Sequence, residues 1–283
     1  MSRVEQREPE IQRYRRGNVL RLIPMKTPLR WPILGVLAAI AITSTMDAAG
    51  LTAFSALPLA LLLAIFWYLQ RFSRKQVGFS WGRERRYHYL LAVAYPVVVG
   101  TVTTLIAIAA GAVDFSHTNW KKAGINFALI AVSTVLVAVI TEEGFFRGWL
   151  WASLERAGKG RTVILIWSSI AFSLWHWSAV LLKTGFAPPH SQVPGFLLNA
   201  AVLGAIWGLL RWHSGSVIVS SLSHGVWNGM AYVLFGFGSR SGALGIKNTG
   251  LFGPEVGVLG LAMNVAVLAA LWNRFMARRD CEL

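Results

Sequence analysis

Long apolar runs separated by short polar or basic segments dominate the chain. Eight such runs can be distinguished, and we interpret each as a membrane-spanning helix because about 20 residues are needed to cross a bilayer. The predicted spans cover about residues 32–46, 51–69, 89–113, 124–154, 163–182, 195–210, 217–235 and 256–275. The pattern therefore predicts an all-α, polytopic membrane protein with about eight transmembrane helices. The fourth run is longer than a minimal span, so it must tilt, kink or protrude.

Basic residues alternate between the two ends of these runs. They concentrate in residues 1–30, 71–88 and 156–161, all of which fall on one side of the membrane when eight spans are drawn. Cytoplasmic loops carry the excess of Lys and Arg, so both termini are predicted to be cytoplasmic, at the plasma membrane if the cell is prokaryotic. A minority of basic residues falls on the opposite side: Lys121, Lys122, Lys183, Arg240 and Lys247.

This pattern predicts a cytoplasmic basic tail at residues 1–30 and a single membrane domain at residues 31–283. The composition agrees, since 55% of residues are hydrophobic and only 14% are charged. The net charge of +15 would suggest nucleic acid in a soluble protein, but here the basic loops account for it, so lipid is the expected partner and nucleic acid is not. Cys281 is the single cysteine, which excludes a disulfide within the chain and a cysteine-based metal site.

Two adjacent carboxylates, Glu142 and Glu143, lie within the fourth apolar run. A charged side chain at the bilayer centre costs roughly 2.5–3.5 kcal/mol on insertion scales, so such residues face the protein interior and by default suggest function. Glu143 and Arg147 are four residues apart, with the glutamate first, which is the favourable order for an ion pair on one helical face. Glu142 points about 100° away and has no such partner. The pattern therefore predicts that Glu143 and Arg147 support the site and that Glu142 is the free carboxylate.

Two histidines also lie within apolar runs, His176 in the fifth and His224 in the seventh. Counted from the basic residues at the ends of their runs, Glu142, His176 and His224 lie at similar depths, so they are expected to share one buried cavity. Asn228 is one helical turn after His224 and faces the same way. A glutamate can act as general base towards water, with His176 holding the same water, and His224 with Asn228 can donate to an oxyanion. Alternatively, Glu142, His176 and His224 could ligate a zinc ion that activates the water. Both arrangements predict hydrolysis of a carbonyl compound, most naturally a peptide bond.

Three motifs on separate apolar runs carry a family resemblance. They read EExxxR from Glu142 to Arg147, FxxxH from Phe172 to His176, and HxxxN from His224 to Asn228. In this order they resemble the signature motifs of the CAAX protease and bacteriocin-processing (CPBP) family, which includes the type II CAAX prenyl endopeptidases. The resemblance covers about residues 125–235. It implies an eight-helix intramembrane peptidase.

The resemblance also implies the roles of the motif residues. Glu142 is the base, His176 shares its water, and His224 with Asn228 is at the oxyanion. The family is often called a metalloprotease, yet a metal-free glutamate mechanism also fits, and we favour it because asparagine is a poor zinc ligand and no third histidine is present. No cofactor is firmly implied, and zinc is the alternative. The implied substrate is a peptide or protein, prenylated or bearing a leader.

Two other classes of function compete with the peptidase. A proton- or ion-coupled transporter can carry buried Glu and Arg residues, but it predicts internal repeats and broken helices in both halves, and the sequence has no recognisable repeat. A catalytically silent immunity or scaffold protein of the same fold is the second alternative, and a complete motif set argues against it.

Overall fold

The computed structural model describes residues 29–182, 184–238 and 240–280, with no side-chain description for the last three of these. The predicted basic tail at 1–30 therefore lies almost wholly outside the described residues, as do Lys183 and Cys281.

Helices build nearly all of the described chain, which confirms the all-α prediction. The α-helices are α1 (Arg30–Ala48), α2 (Pro58–Gln70), α3 (Arg74–Val77), α4 (Arg85–Ala109), α5 (Trp120–Ala138), α6 (Trp151–Arg156), α7 (Arg161–Trp175), α8 (Trp177–Leu181), α9 (Val193–Ser214), α10 (Val217–Met230), α11 (Thr249–Phe252) and α12 (Val258–Asp280). Two 3₁₀ turns (Thr52–Phe54, His190–Gln192) and a small antiparallel ribbon of β1 (Gly236–Phe237) and β2 (Arg240–Ser241) complete the set.

Seven helical stretches of the described chain are long and apolar enough to cross a membrane. They correspond to the predicted spans except the one at 217–235, where α10 has only 14 residues and continues as a five-residue π-helix, Ala231–Phe235. Short, polar-containing α10 is instead enclosed by other helices, packing against α5, α4 and α9. The chain is thus an integral membrane protein with a mostly buried helix at its centre.

Close packing of α10 on α5 depends on two glycines. Gly225 and Gly229 are four residues apart, and a Cβ atom at either would lie 2.5 Å from the carbonyl oxygen of Ala131 or 3.1 Å from that of Phe127, respectively. Small residues at this spacing let two helix backbones approach closely within a membrane. The glycines within and just after the third motif therefore bring that motif close to the helix that precedes the first.

The fourth apolar run contains an eight-residue π-helix, Glu143–Leu150, between α5 and α6. All eight of its residues are buried. The sequence predicted a tilt, kink or protrusion here, and the π-helix is the form that the irregularity takes. Glycine is required at its first turn, because a Cβ on Gly144 would lie 2.6 Å from the carbonyl oxygen of Val139.

One prediction about the basic residues is wrong. Arg211 was expected in a solvated cytoplasmic turn, but it is buried within α9. Its Nε donates to the carbonyl oxygen of Arg147 and its Nη2 to that of Gln76, each at 3.0 Å. The physical reason is that α3 folds against the π-helix and covers this end of the bundle. Arg211 therefore joins three segments instead of marking a surface.

Candidate active site

The first motif lies where α5 gives way to the π-helix. Glu142 immediately precedes the π-helix and Glu143 is its first residue. The carboxylate of Glu143 is fully buried, whereas that of Glu142 keeps 18% of its side-chain surface exposed to the cavity. The two adjacent glutamates thus occupy different environments, as the sequence predicted.

Glu143 binds two cationic or potentially cationic groups. Its Oε1 accepts from Nη1 of Arg147 at 3.2 Å, which is the predicted ion pair, and lies 3.1 Å from Nδ1 of His224. With a protonated His224, two carboxylates and two cations balance within the cluster of Glu142, Glu143, Arg147 and His224. A buried charge requires such pairing and hydrogen bonding.

Glu142 faces the two motif histidines. Its Oε2 lies 3.9 Å from Nε2 of His176 and 3.9 Å from Nε2 of His224. This separation exceeds a direct hydrogen bond, and polar groups so spaced are commonly bridged by water. The predicted convergence of these three side chains is therefore present in the fold.

The tautomer of His176 follows from its backbone partner. Nδ1 lies 2.8 Å from the carbonyl oxygen of Phe172, which can only accept, so Nδ1 carries the hydrogen. In the neutral ring Nε2 is then an acceptor directed at Glu142. His176 itself is the last residue of α7, where the helix ends before α8, and not the middle of a span.

Aromatic rings hold the polar cluster in place. The ring of Trp207 stacks on His224 with centroids 4.1 Å apart, and the guanidinium of Arg147 lies 4.1 Å from the centre of the Phe172 ring. Gly204 makes room for this arrangement, since a Cβ there would lie 3.1 Å from Nη2 of Arg147. The cation–π contact offsets part of the cost of burying the guanidinium.

The space between these groups is a small cavity, which we call the inner cavity. It has a volume of about 30 Å³ and is lined by His176, Phe196, Trp207, His224, Asn228 and Glu255, among others. A cavity of this size holds a water molecule, because about 10–15 Å³ suffices for one. It has no room for a peptide backbone, so substrate must displace lining side chains.

The depth estimate for His224 is wrong, although the cluster forms. It was counted from Arg211 through the turn at Gly215, whereas α10 begins at Val217, so His224 lies only 224 − 217 = 7 residues into its helix. The three motif helices enter the membrane domain at different levels, and α7 reaches the cluster only at its last turn.

Sequence reasoning missed Glu255, which was taken for a loop residue. It precedes α12, lines the inner cavity and accepts at Oε1 from the indole Nε1 of Trp227 at 3.3 Å. Burial raises the pKa of Glu255 to about 7, with the Trp227 hydrogen bond and nearby His224 acting in the opposite direction. No local sequence signal reveals it, because its place in the cavity depends on packing across α9 and α10.

Two buried asparagines position Glu255. Nδ2 of Asn199 donates to the carbonyl oxygens of Pro254 at 2.8 Å and of Glu255 at 3.0 Å. Nδ2 of Asn264 donates to Oδ1 of Asn199 at 2.9 Å. This network fixes the loop before α12 against α9, and with it the carboxylate at the cavity wall.

The donor set of Glu142, His176 and His224 has the chemistry that zinc accepts. However, within the described ranges no group of three His, Cys, Asp or Glu side chains has an arrangement that could hold a metal ion. The residues as arranged do not fit a zinc site, and no step below passes through a metal.

Comparison with known families supports the resemblance seen in the motifs. Residues 124–230 match the family described as type II CAAX prenyl endopeptidase Rce1-like. This segment contains all three motifs and confirms the suspected relationship to the CAAX proteases. No curated protein gives a significant match to the chain. The match supports an intramembrane endopeptidase acting on a protein or peptide.

Proposed function

We propose that the protein hydrolyses a peptide bond of a membrane-associated or lipidated, CAAX-like substrate by glutamate-activated attack of water. The convergence of Glu142, His176 and His224 on a water-sized gap carries the proposal. The family match at residues 124–230 supports the reaction class.

Glu142 acts as the general base in this mechanism. A water between Glu142 and Nε2 of His176 donates one hydrogen to the carboxylate and the other to the imidazole acceptor. As the water oxygen attacks the scissile carbonyl carbon, its proton passes to Glu142, and the carbonyl π electrons move onto the oxygen. Glu142 then returns the proton to the departing amine, as a general acid does when a tetrahedral intermediate collapses.

His224 and Asn228 stabilise the oxyanion. His224 in its protonated form donates from Nε2, while its Nδ1–H binds Glu143, whose carboxylate stabilises the imidazolium and orients the ring. The amide of Asn228 lines the same cavity and supplies a second donor. Arg147 neutralises Glu143 without contacting the substrate.

The membrane domain positions this chemistry for substrates that reside in lipid. We propose that both termini are cytoplasmic, that residues 31–283 form one membrane domain, and that the catalytic core is about residues 125–235. The basic loops around α3 and α6 support this orientation.

A comparison of peptide termini tests the function. Membranes from cells carrying the wild-type protein and Glu142→Gln are analysed for new protein ends, with Glu155→Gln as the matched control because Glu155 is exposed on α6. We expect cleaved ends in the wild type and the Glu155→Gln control that are lost in Glu142→Gln. Identical termini in all three well-expressed, correctly inserted proteins would reject the peptidase and favour the transporter or silent scaffold.

A further inference from the structure

Three cavities connect the catalytic cluster to one face of the protein. Next to the inner cavity is a second, which we call the vestibule, of about 40 Å³, lined by Phe186, Gln192, Phe237, Arg240 and Thr249, among others. Phe196 and Glu255 line both the inner cavity and the vestibule. These two side chains therefore form the partition between them.

Beyond the vestibule is an open depression, which we call the basin, with a volume of about 820 Å³. Phe237 and Arg240 line both the vestibule and the basin, and Tyr232 lines both the basin and the inner cavity. Shared walls join all three spaces in one continuous path. The loops on either side of the β-ribbon and the turn before α9 form its outer end.

The basin is rich in cations. Lys122, Arg240 and Lys247 line it, with His117 and the single carboxylate of Asp114. These lysines and the arginine belong to the minority of basic residues that lie opposite the basic loops. A function in binding an anionic group gives a reason for their position, which the distribution of charge across a membrane does not.

Arg240 is the cation placed to act at the entrance. It is exposed on β2, its guanidinium lies 5.4 Å from the centre of the Phe237 ring, and Phe237 stacks on Phe186. A guanidinium held over an aromatic ring presents its N–H groups in a planar fork that matches a carboxylate.

The partition is suited to open for a chain. The ring of Phe196 touches that of His176 edge-on, with centroids 5.8 Å apart, so its displacement uncovers a catalytic residue directly. Opposite it, Glu255 is fixed through its backbone by Asn199. A mobile rotamer facing a fixed carboxylate defines where an extended peptide enters.

From this arrangement we infer that the vestibule and basin form the substrate-binding site, and that Arg240 binds a carboxylate of the peptide while the scissile bond passes between Phe196 and Glu255. The inference rests on the proposed peptidase function. The carboxylate belongs either to the C-terminus of the peptide or to an acidic side chain, which share the same chemistry at Arg240.

Binding to full-length protein carrying Glu142→Gln tests this without hydrolysis. The probes are fluorescent, farnesylated peptides of Cys-aliphatic-aliphatic-Met type: the free acid, its C-terminal amide, and an amide carrying one glutamate near its end. We expect the free acid or the glutamate amide to bind about tenfold more tightly than the plain amide, as one charge-assisted contact allows. Adding Arg240→Gln should abolish this preference.

Two further variants keep the test decisive. Lys121→Gln removes the same charge from the same face outside the basin and should retain the preference, and Arg240→Lys should restore part of it if Arg240→Gln fails to fold. Equal binding of acids and amide, or equal losses in Lys121→Gln and Arg240→Gln, would overturn the inference. Hydrolysis is assayed separately with native Glu142, so a protein that binds through Arg240 but never cleaves would refute the peptidase and not the anchor.

Discussion

Nδ1 of His224 lies 3.1 Å from Oε1 of Glu143, so the second glutamate of the first motif orients a residue of the third motif. The same oxygen accepts from Arg147. Glu143 therefore does more than neutralise Arg147, which was its predicted role. It links the π-helix to α10 and fixes which nitrogen of His224 faces the inner cavity.

Replacing Glu143 should destabilise the protein, whereas replacing Glu142 should not. Glu143→Gln leaves buried Arg147 without its charge partner, and breaking a buried pair costs about 3–5 kcal/mol. Thermal unfolding of detergent-solubilised Glu143→Gln and Glu142→Gln measures the difference, and we expect a lower midpoint only for Glu143→Gln. Equal midpoints would remove Glu143 from its structural role.

Arg147→Ala should also lower stability. It leaves the carboxylate of Glu143 buried and opens a space between Phe172 and Trp207 where the guanidinium lay. Arg161→Ala is the control, because that side chain is 53% exposed. We expect a loss of about 3–5 kcal/mol for Arg147→Ala and under about 1 kcal/mol for the control, measured as before. An unchanged midpoint in Arg147→Ala would contradict the ion-pair assignment.

Asn199→Leu should loosen the loop before α12. The substitution is close in size but leaves the carbonyl oxygens of Pro254 and Glu255 without their donor, at a cost of about 1–3 kcal/mol for each buried unsatisfied group. Asn273→Leu, at an exposed position of α12, is the matched control. Limited proteolysis of the loop should become faster in Asn199→Leu alone, and an unchanged rate would separate Asn199 from the positioning of Glu255.

Stability should fall as pH rises through the titration of Glu255. Its pKa is about 7 in the folded protein and near 4.5 when unfolded, so the folded state binds the extra proton between these values. Unfolding free energy therefore decreases from about pH 4.5 to 7 by up to about 3 kcal/mol and is level above that. The groups that face Glu255 across the cavities are His176, His224, Tyr232 and Arg240.

Glu255→Gln isolates this effect from the other titrating groups. The variant should lose the slope between about pH 5 and 7 and be more stable than the wild type at about pH 8, because no carboxylate has to ionise in the cavity. Thermal unfolding across this range provides the measurement. Parallel curves for both proteins would assign the slope to another group.

Cysteine labelling should place the basin outside the cytoplasm. In a Cys281→Ser background, Lys121→Cys lies on the basin side and Lys75→Cys on the basic loop, and both positions are exposed. A membrane-impermeant maleimide applied to intact cells should label only Lys121→Cys, and Lys75→Cys should react after permeabilisation. The reverse result would make the basin cytoplasmic and the proposed orientation wrong.

The sequence was most informative where a polar residue interrupts an apolar run. Burial of charge in lipid is so costly that Glu142, Glu143 and Arg147 were identifiable from local pattern alone. Glu255 and Arg211 were missed because their surroundings depend on chain segments far away in sequence: Asn199 and Trp227 for the former, α3 and the π-helix for the latter. A loop position adjoining a predicted span carries no information about which side of it faces a cavity.

The π-helix makes the first motif sensitive to chain length as well as to composition. Each π turn contains one residue more than an α turn, so Glu143–Leu150 acts as an insertion absorbed within a helix. Removing a single residue there would let the segment relax to an α-helix and rotate everything after it by about 100°, with no side chain of the motif altered. Deletions at this point thus alter the phase between the glutamates and α6, which makes spacing an inherited property of the catalytic centre.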